Sequence, residues 1–375
     1  MLELIVIFGK SRVFFDAMSR KIDASLPDDP LRTIASPQPY FTAAGARAIL
    51  NAHYGLDGRL DSLVSERDQN YRLTLPDGRQ FVLKIANSTE PQIVTDFQIQ
   101  ALLHIEDKQC PVATPRIVRT RDDAVATTVA NNSDVHVCRL LTYLPGSPPD
   151  DAAIGPALAR NIGASLAAID IALCDFEHAG DSQALLWDLQ RALEVRPLLA
   201  NIQDKALHET ISSCLADFED DALYRLRALP RQVIHGDLNT GNVLVAEHDA
   251  ASIAGIIDFG DMVRAPRIAD LAIAASYLRS GADDPLTLIA SLVAGYQEAS
   301  PLTHDEAALL FDLVRVRLAT SVVMLHWRVS ARGEDDPYRQ ASLASEADAA
   351  GFFHTLGRCG RRLFTERMLQ LTVDC

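Results

Sequence analysis

Positive charge is in short supply in this chain. Its 375 residues hold 35 Lys and Arg against 50 Asp and Glu, a net charge of −15. A face that neutralises nucleic-acid phosphates needs the opposite balance, so no nucleic-acid partner is expected. No run of 18 or more apolar residues occurs, which argues against a membrane span. The apolar opening Met1–Phe8 is followed, not preceded, by Lys10 and Arg12, and it is too short for a secretory core. None of the six cysteines (Cys110, Cys138, Cys174, Cys214, Cys359, Cys375) stands in a C-x-x-C pair. They read as small apolar residues or as thiols of a reducing compartment, so a cytoplasmic location is expected. The ten histidines show no H-E-x-x-H spacing, which argues against zinc. Internal repeats, low-complexity tracts and a glycine-rich loop are also missing.

What is present is an ordinary globular balance, 48% hydrophobic and 23% charged. The length allows two lobes. Residues 1–37 show no clear pattern and are expected to be an extension of unclear role. Residues 38–146 are expected to form a β-rich lobe. Apolar spacings of three and four predict a helix from Tyr40 to Tyr54. Leu60–Val64 reads as a strand. Tyr71–Leu75 and Gln80–Ala86 flank Pro76-Asp77-Gly78, whose proline presets φ and whose glycine accepts positive φ, so a hairpin is expected. In its second arm Phe81, Leu83 and Ile85 share one face, while Lys84 is a lone cation on the other. A helix over Pro91–Ile105 and strands over Ala124–Val129 and Val135–Tyr143 follow. The turn-forming Leu144-Pro145-Gly146 marks the boundary.

Residues 147–375 are expected to be mostly helical. Leu158, Ile162, Leu166 and Ile169 make one stripe, and Leu207, Ile211, Leu215 and Phe218 another. A small β island interrupts them at Val233-Ile234, Val243–Val245 and Ile253–Ile257. Leu309–Trp327 reads as an apolar helix, with His326, Trp327 and Arg328 at its end expected to pack on the core. The fold class is therefore α+β.

Two stretches of the island carry chemistry: Val233-Ile-His-Gly-Asp-Leu-Asn-Thr-Gly-Asn-Val-Leu-Val245 and Ile256-Ile-Asp-Phe-Gly-Asp261. Phosphoryl transfer needs metal to neutralise charge, a lysine to orient phosphates and a carboxylate to position the attacking hydroxyl. Asp237 sits in a polar loop directly after an apolar strand. Asn242 follows five residues on, at the start of the next strand. Asp258 follows the third strand, Ile253–Ile257, with Gly260 behind it to let the backbone turn. An amide and a carboxylate are hard oxygen ligands that suit magnesium, which keeps waters and phosphate oxygens as its other ligands. Lys84 would supply the cation. Any one of these features alone is commonplace; their joint order is informative.

The loop His235-Gly-Asp-Leu-Asn-Thr-Gly-Asn242 and the segment Ile257-Asp-Phe-Gly-Asp261 closely resemble the aminoglycoside phosphotransferase and choline kinase superfamily, from Tyr40 onward. Arg139–Gly146, Leu186-Trp-Asp-Leu189 and Phe259–Leu271 are similar to the hydroxylysine kinase group within it. The resemblance implies a two-lobed protein-kinase-like fold with a nucleotide site in the cleft, and an ATP- or GTP-dependent small-molecule kinase. It implies that Asp237 orients the acceptor hydroxyl, that Asn242 and Asp258 bind Mg2+, and that Lys84 touches the α- and β-phosphates. It implies that the backbone of Thr142 and Leu144 bonds the base, with Leu141 behind it. Ser65–Tyr71, including Asn70, would be the loop over the phosphates. His235 and Asp270 would brace the catalytic loop. Relatives pair the strand lysine with a helix glutamate; here Gln98 or Asp96 stands in that region, and the two face opposite ways on a helix.

For the acceptor, Trp187 and Asp188 fit an ammonium group, or equally a core tryptophan beside a helix cap. Arg264 and Arg267 could take a carboxylate by paired hydrogen bonds, or be surface charges. Together they suit a hydroxylated amino acid or amino alcohol. An aminoglycoside, homoserine or sugar acceptor is the alternative, and a silent kinase fold that only binds nucleotide or a partner is a further one. A monomer or homodimer is expected. A protein kinase is disfavoured by the missing glycine loop and the short path from Asp258 to Pro266.

Overall fold

The computed structural model describes residues 36, 38–65, 67–131, 134–150, 154–279, 284–330 and 337–373, without side chains for 337–346, 372 and 373. The extension expected over residues 1–37 lies almost wholly outside the described residues, as does Glu66 of the expected phosphate loop. The chain divides into two compact units. The first is residues 1–109, 113–145 and 177–184; the second is residues 110–112, 146–176 and 185–375.

The first unit is built on one antiparallel sheet. Helix α1 (Ala43–Ile49), capped by the Thr42 side chain, widens into a π turn (Leu50–Tyr54) that ends at Gly55. Strands β1 (Arg59–Leu63), β2 (Gln69–Thr74) and β3 (Gln80–Ile85) form a meander, the second pair joined through the expected Pro-Asp-Gly turn. Helix α2 (Gln92–Asp107) follows, then β4 (Ile117–Val118), β5 (Thr127–Asn131) and β6 (Asp134–Thr142). The order is β1-β2-β3-β6, with β4 and β5 both along the outer edge of β6. Alternation decides the faces: Leu83 and Ile85 of β3 are fully buried. They join Ile49, Leu50, Leu73, Cys138 and Leu140 in one core.

The second unit is mainly helical: α3 (Pro156–Leu173), a 3-10 segment (Leu189–Asn201), α4 (Lys205–Asp217), a π turn (Phe218–Ala222) and α5 (Leu223–Ala228). After the island come α6 (Arg267–Tyr277), α7 (Thr287–Ala299), α8 (His304–Ser330) and α9 (Pro337–Val373), the last kinked at Gly360. Both stripes expected from the sequence are buried. The long 3-10 run has Pro197 inside it and buries Leu189, Ala192, Val195 and Leu199, spaced by three and four. The island is two hairpin-like pairs, β7 (Gln232–Ile234) with β10 (Val263–Ala265), and β8 (Val243–Ala246) with β9 (Asp249–Ile256). No helix among the described residues is long and apolar enough to cross a membrane.

Leu83→Ala in the first unit's core should cost about 2–5 kcal/mol in urea unfolding. Val64→Ala, at a fully exposed position, should change stability by less than about 0.5 kcal/mol.

Candidate active site

In the second unit, Asp237 follows β7 in a loop that three contacts shape. The buried Asp270, in the first turn of α6, accepts the His235 N–H on Oδ2 at 2.8 Å and the Gly236 N–H on Oδ1 at 2.9 Å. The His235 ring donates from Nε2 to the Ile257 carbonyl at 3.1 Å, accepts the Asp237 N–H on Nδ1 at 3.3 Å, and meets Phe259 edge-on. Gly236 adopts φ +79°, and a Cβ there would lie 2.2 Å from the Asp261 carbonyl oxygen. Only glycine fits.

Asp237 itself is half-buried, with a carboxylate 22% exposed. Its Oδ2 accepts from Asn239 Nδ2 at 2.9 Å, and its Oδ1 meets Arg317 Nη2 at 3.1 Å. Asn242 Nδ2 donates to the Asp237 carbonyl at 2.8 Å and reaches Oδ2 at 3.4 Å. That anchor leaves the Asn242 amide oxygen as its free end. The Ile257 N–H bonds the Asn242 carbonyl at 2.9 Å, tying the two loops together. Desolvation pushes the Asp237 carboxyl up to about 7; repulsion from Asp261 and Asp258 adds to this, while Arg317 and Asn239 oppose it.

At Asp258 the expectation needs correction. The left-handed turn sits on Asp258 itself, φ +64°, and not on Gly260. Aspartate tolerates this region better than most residues, but the conformation is strained, and such strain clusters at functional sites.

The structure gives each acceptor-side candidate a partner within the protein. Asp188 is buried and caps the 3-10 segment, accepting the Gln190 N–H at 2.9 Å. An aspartate before a helical turn favours its own backbone amides. Arg267 is committed to Glu306 by paired bonds of 2.8 and 2.9 Å, and also donates to Ser300 and the Pro301 carbonyl. Arg264 donates to the backbone carbonyls of Phe176 and Arg231, at 3.1 and 3.5 Å. Trp187 is half-buried, and its carbonyl accepts from Arg317 Nη1 at 2.9 Å. His326, Trp327 and Arg328 are half-buried at the end of α8.

In the first unit, Lys84 lies on β3 with its side chain 14% exposed, opposite Asn70 of β2 and Arg139 of β6. Asp68 lies at ion-pair distance from Lys84, at 3.9 Å, and also faces Arg139 at 4.0 Å. Of the two sequence candidates, Gln98 accepts from Arg139 at 2.5 Å, and Asp96 meets His178 at 3.2 Å. Glu90 is a second carboxylate of this cluster, held by Thr95 and Gln98. Burial first, then repulsion from Asp68, raises its pKa against the pull of Arg67 and Arg139. Two cations on adjacent strands thus share Asp68, from the loop before β2, while Glu90, just before α2, is drawn to Arg67 and Arg139. Asn70 belongs to β2 and not to a loop, because Gln69 and Tyr71 tie that strand to Phe41 through three bonds of 2.6–2.9 Å. The Thr142 N–H bonds the Arg116 carbonyl at 2.9 Å, and its hydroxyl accepts the Arg116 N–H at 2.9 Å. The Thr142 amide is therefore not available to a base. Leu141 is buried between Val82 and Ile117, and Leu144 is half-buried beyond the strand end.

Sequence reasoning missed Arg317, Asp68, Arg139 and Glu90. Arg317 left a signal, since Arg315 and Arg317 stand within the mostly apolar stretch Leu309–Trp327, and Asp68 lies inside the expected phosphate loop Ser65–Tyr71. Among the described residues no three His, Cys, Asp or Glu side chains gather as a metal site. An amide oxygen and a carboxylate completed by phosphates do not require one. The mutual repulsion of Asp237, Asp258 and Asp261 fits a divalent cation, which would relieve it.

A profile of the phosphotransferase enzyme family matches residues 62–310. The chain belongs to that family, and it is a small-molecule kinase acting on a hydroxyl group, as expected. Among curated relatives it is similar to hydroxylysine kinase of Mus musculus, 28% identical over 329 residues, covering 81% of this chain and 87% of the relative. Its fold is that of an aminopropanol kinase associated with a microcompartment (TM-score 0.66, 19% identity, 88% of this chain and 100% of that one). It is also that of amicoumacin kinase in complex with AMP-PNP, Ca2+ and Ami (TM-score 0.63, 14% identity, 84% and 93%). These neighbours share the expected kinase-like α+β architecture.

Gly236→Ala should reduce turnover at least about tenfold, because it displaces Asp237, and destabilise the protein by about 1–3 kcal/mol. Gly78→Ala, at φ +87° with nothing near its Cβ, should cost stability alone; equal loss of turnover in both variants would sink the assignment.

Proposed function

We propose that the protein transfers the γ-phosphoryl group of ATP or GTP to the hydroxyl of a hydroxylated amino acid, hydroxylysine being the lead candidate. The observation that carries this is the Asp237 carboxylate, partly exposed and gripped on each oxygen by a different side chain. A carboxylate so held can orient the acceptor hydroxyl and take its proton as the O–P bond forms. The Asn242 amide oxygen and Asp258 would hold magnesium, which supplies charge neutralisation on the phosphates. Lys84, with Asp68 setting its direction, binds the α- and β-phosphates. The Thr142 carbonyl and the Leu144 amide face the base, with Leu141 behind it. The similarity to hydroxylysine kinases over most of both chains supports the acceptor class. With Asp188, Arg264 and Arg267 otherwise committed, Trp187 is the remaining acceptor-side residue of the original set.

Nucleotide consumption should respond to 5-hydroxylysine more strongly than to homoserine, aminopropanol, choline or kanamycin. A flat response, or a lead by kanamycin, would remove the acceptor assignment. Asp237→Asn should lower kcat by about 10²–10⁴-fold with nucleotide affinity and Tm intact; wild-type turnover would reject the base. Asp258→Asn should weaken nucleotide binding only when magnesium is present, as read by titration with and without the metal.

A further inference from the structure

Arg317 stands in the middle of α8, among side chains that are nearly all buried and apolar. Its own side chain is 4% exposed. The guanidinium reaches three separate elements. Nη1 donates to the Trp187 carbonyl at 2.9 Å, just before the 3-10 segment. Nη2 donates to Asp237 Oδ1 at 3.1 Å in the catalytic loop, and to the Tyr277 hydroxyl at 3.2 Å at the end of α6. The group also lies 5.9 Å from the centre of the Tyr277 ring. Its Nε is buried without a hydrogen-bond partner among the described residues.

A buried ion pair contributes little net stability, and an apolar residue here would serve the helix packing as well or better. An orphaned Nε–H is a further cost that a purely structural arginine would not carry. What the arrangement achieves is orientation. Aspartate turns readily about its last torsion, where the energy wells are broad. Arg317 holds Oδ1 while Asn239 holds Oδ2, so the plane of the carboxylate is set from both sides.

We propose that Arg317 is the positioning residue of the phosphoryl-transfer reaction, fixing Asp237 so that its exposed edge meets the acceptor hydroxyl. The inference rests on the reading of Asp237 as base. Arg317 acts through Asp237 and touches no substrate atom. Its loss therefore lowers kcat and leaves the KM for nucleotide and the nucleotide Kd unchanged.

The test is a double-mutant cycle of Arg317→Met with Asp237→Asn, scored by kcat on the best acceptor and by nucleotide Kd. Alone, Arg317→Met should lower kcat by about 30- to 100-fold through misplacement of the base. In the Asp237→Asn background it should cost less than about threefold, because the group it positions is already gone. Equal losses in both backgrounds overturn the inference while leaving the base reading standing. Wild-type turnover in Asp237→Asn rejects the base reading and this inference with it. Should Arg317→Met fail to fold, Tyr277→Phe and Arg317→Lys carry the test. Tyr277→Phe removes one anchor of the guanidinium, and Arg317→Lys keeps the charge but not the planar fork. Each should lower kcat by less than Arg317→Met would and show the same loss of effect beside Asp237→Asn; full kcat in both refutes the role.

Discussion

The second unit's chemistry depends on one buried carboxylate. Asp270 takes the backbone N–H groups of His235 and Gly236, one on each oxygen, and so hangs the loop before Asp237 from the first turn of α6. Without those bonds, two buried amides would be orphaned. The arrangement has its own support. Asp170 of α3 lies beside Asp270, and burial, with that neighbouring charge, holds its carboxyl well above the usual range. The Tyr296 hydroxyl donates to Asp170 Oδ2 at 2.5 Å. Burial raises the Asp270 carboxyl too, against the pull of His235 and of the two backbone donors.

From that support the loop gains a backbone that tolerates little change. Gly236 has left-handed φ and backbone pressed against the Asp261 carbonyl; Asp258 takes left-handed φ with a full side chain. His235 links the two segments through the Ile257 carbonyl, and the Asn242 carbonyl links them again through the Ile257 amide. Two polar loops that would each be mobile alone are thereby one structure. The role proposed for Asp237 requires that rigidity.

Each unit also handles concentrated charge in the same way. In the second, three carboxylates crowd together and Arg317 is the buried cation that answers Asp237. In the first, Lys84 and Arg139 crowd together and Asp68 answers both. An acidic chain that binds anionic phosphates must place its few cations where they count, and both of these are buried or nearly so.

The hairpin around Pro76-Asp77-Gly78, the face of β3 that buries Leu83 and Ile85, and the helical stripes of α3 and α4 were all legible before any coordinates. Each is local: a turn that needs particular φ angles, or a period that puts apolar groups on one side. The same holds for the loop from His235 to Asn242, whose residue types and spacing already pointed to phosphoryl transfer. Three things were not legible. Arg317 meets Asp237 from 80 residues away. Asp68, from the loop before β2, faces Lys84. Arg264, Arg267 and Asp188 turn to carbonyls, to Glu306 and to a cap. A charged side chain pairs with whatever folding brings within about 4 Å, and spacing along the chain does not encode that distance. Local chemistry was thus written in the sequence, while the partner of each charge was decided only by the tertiary structure.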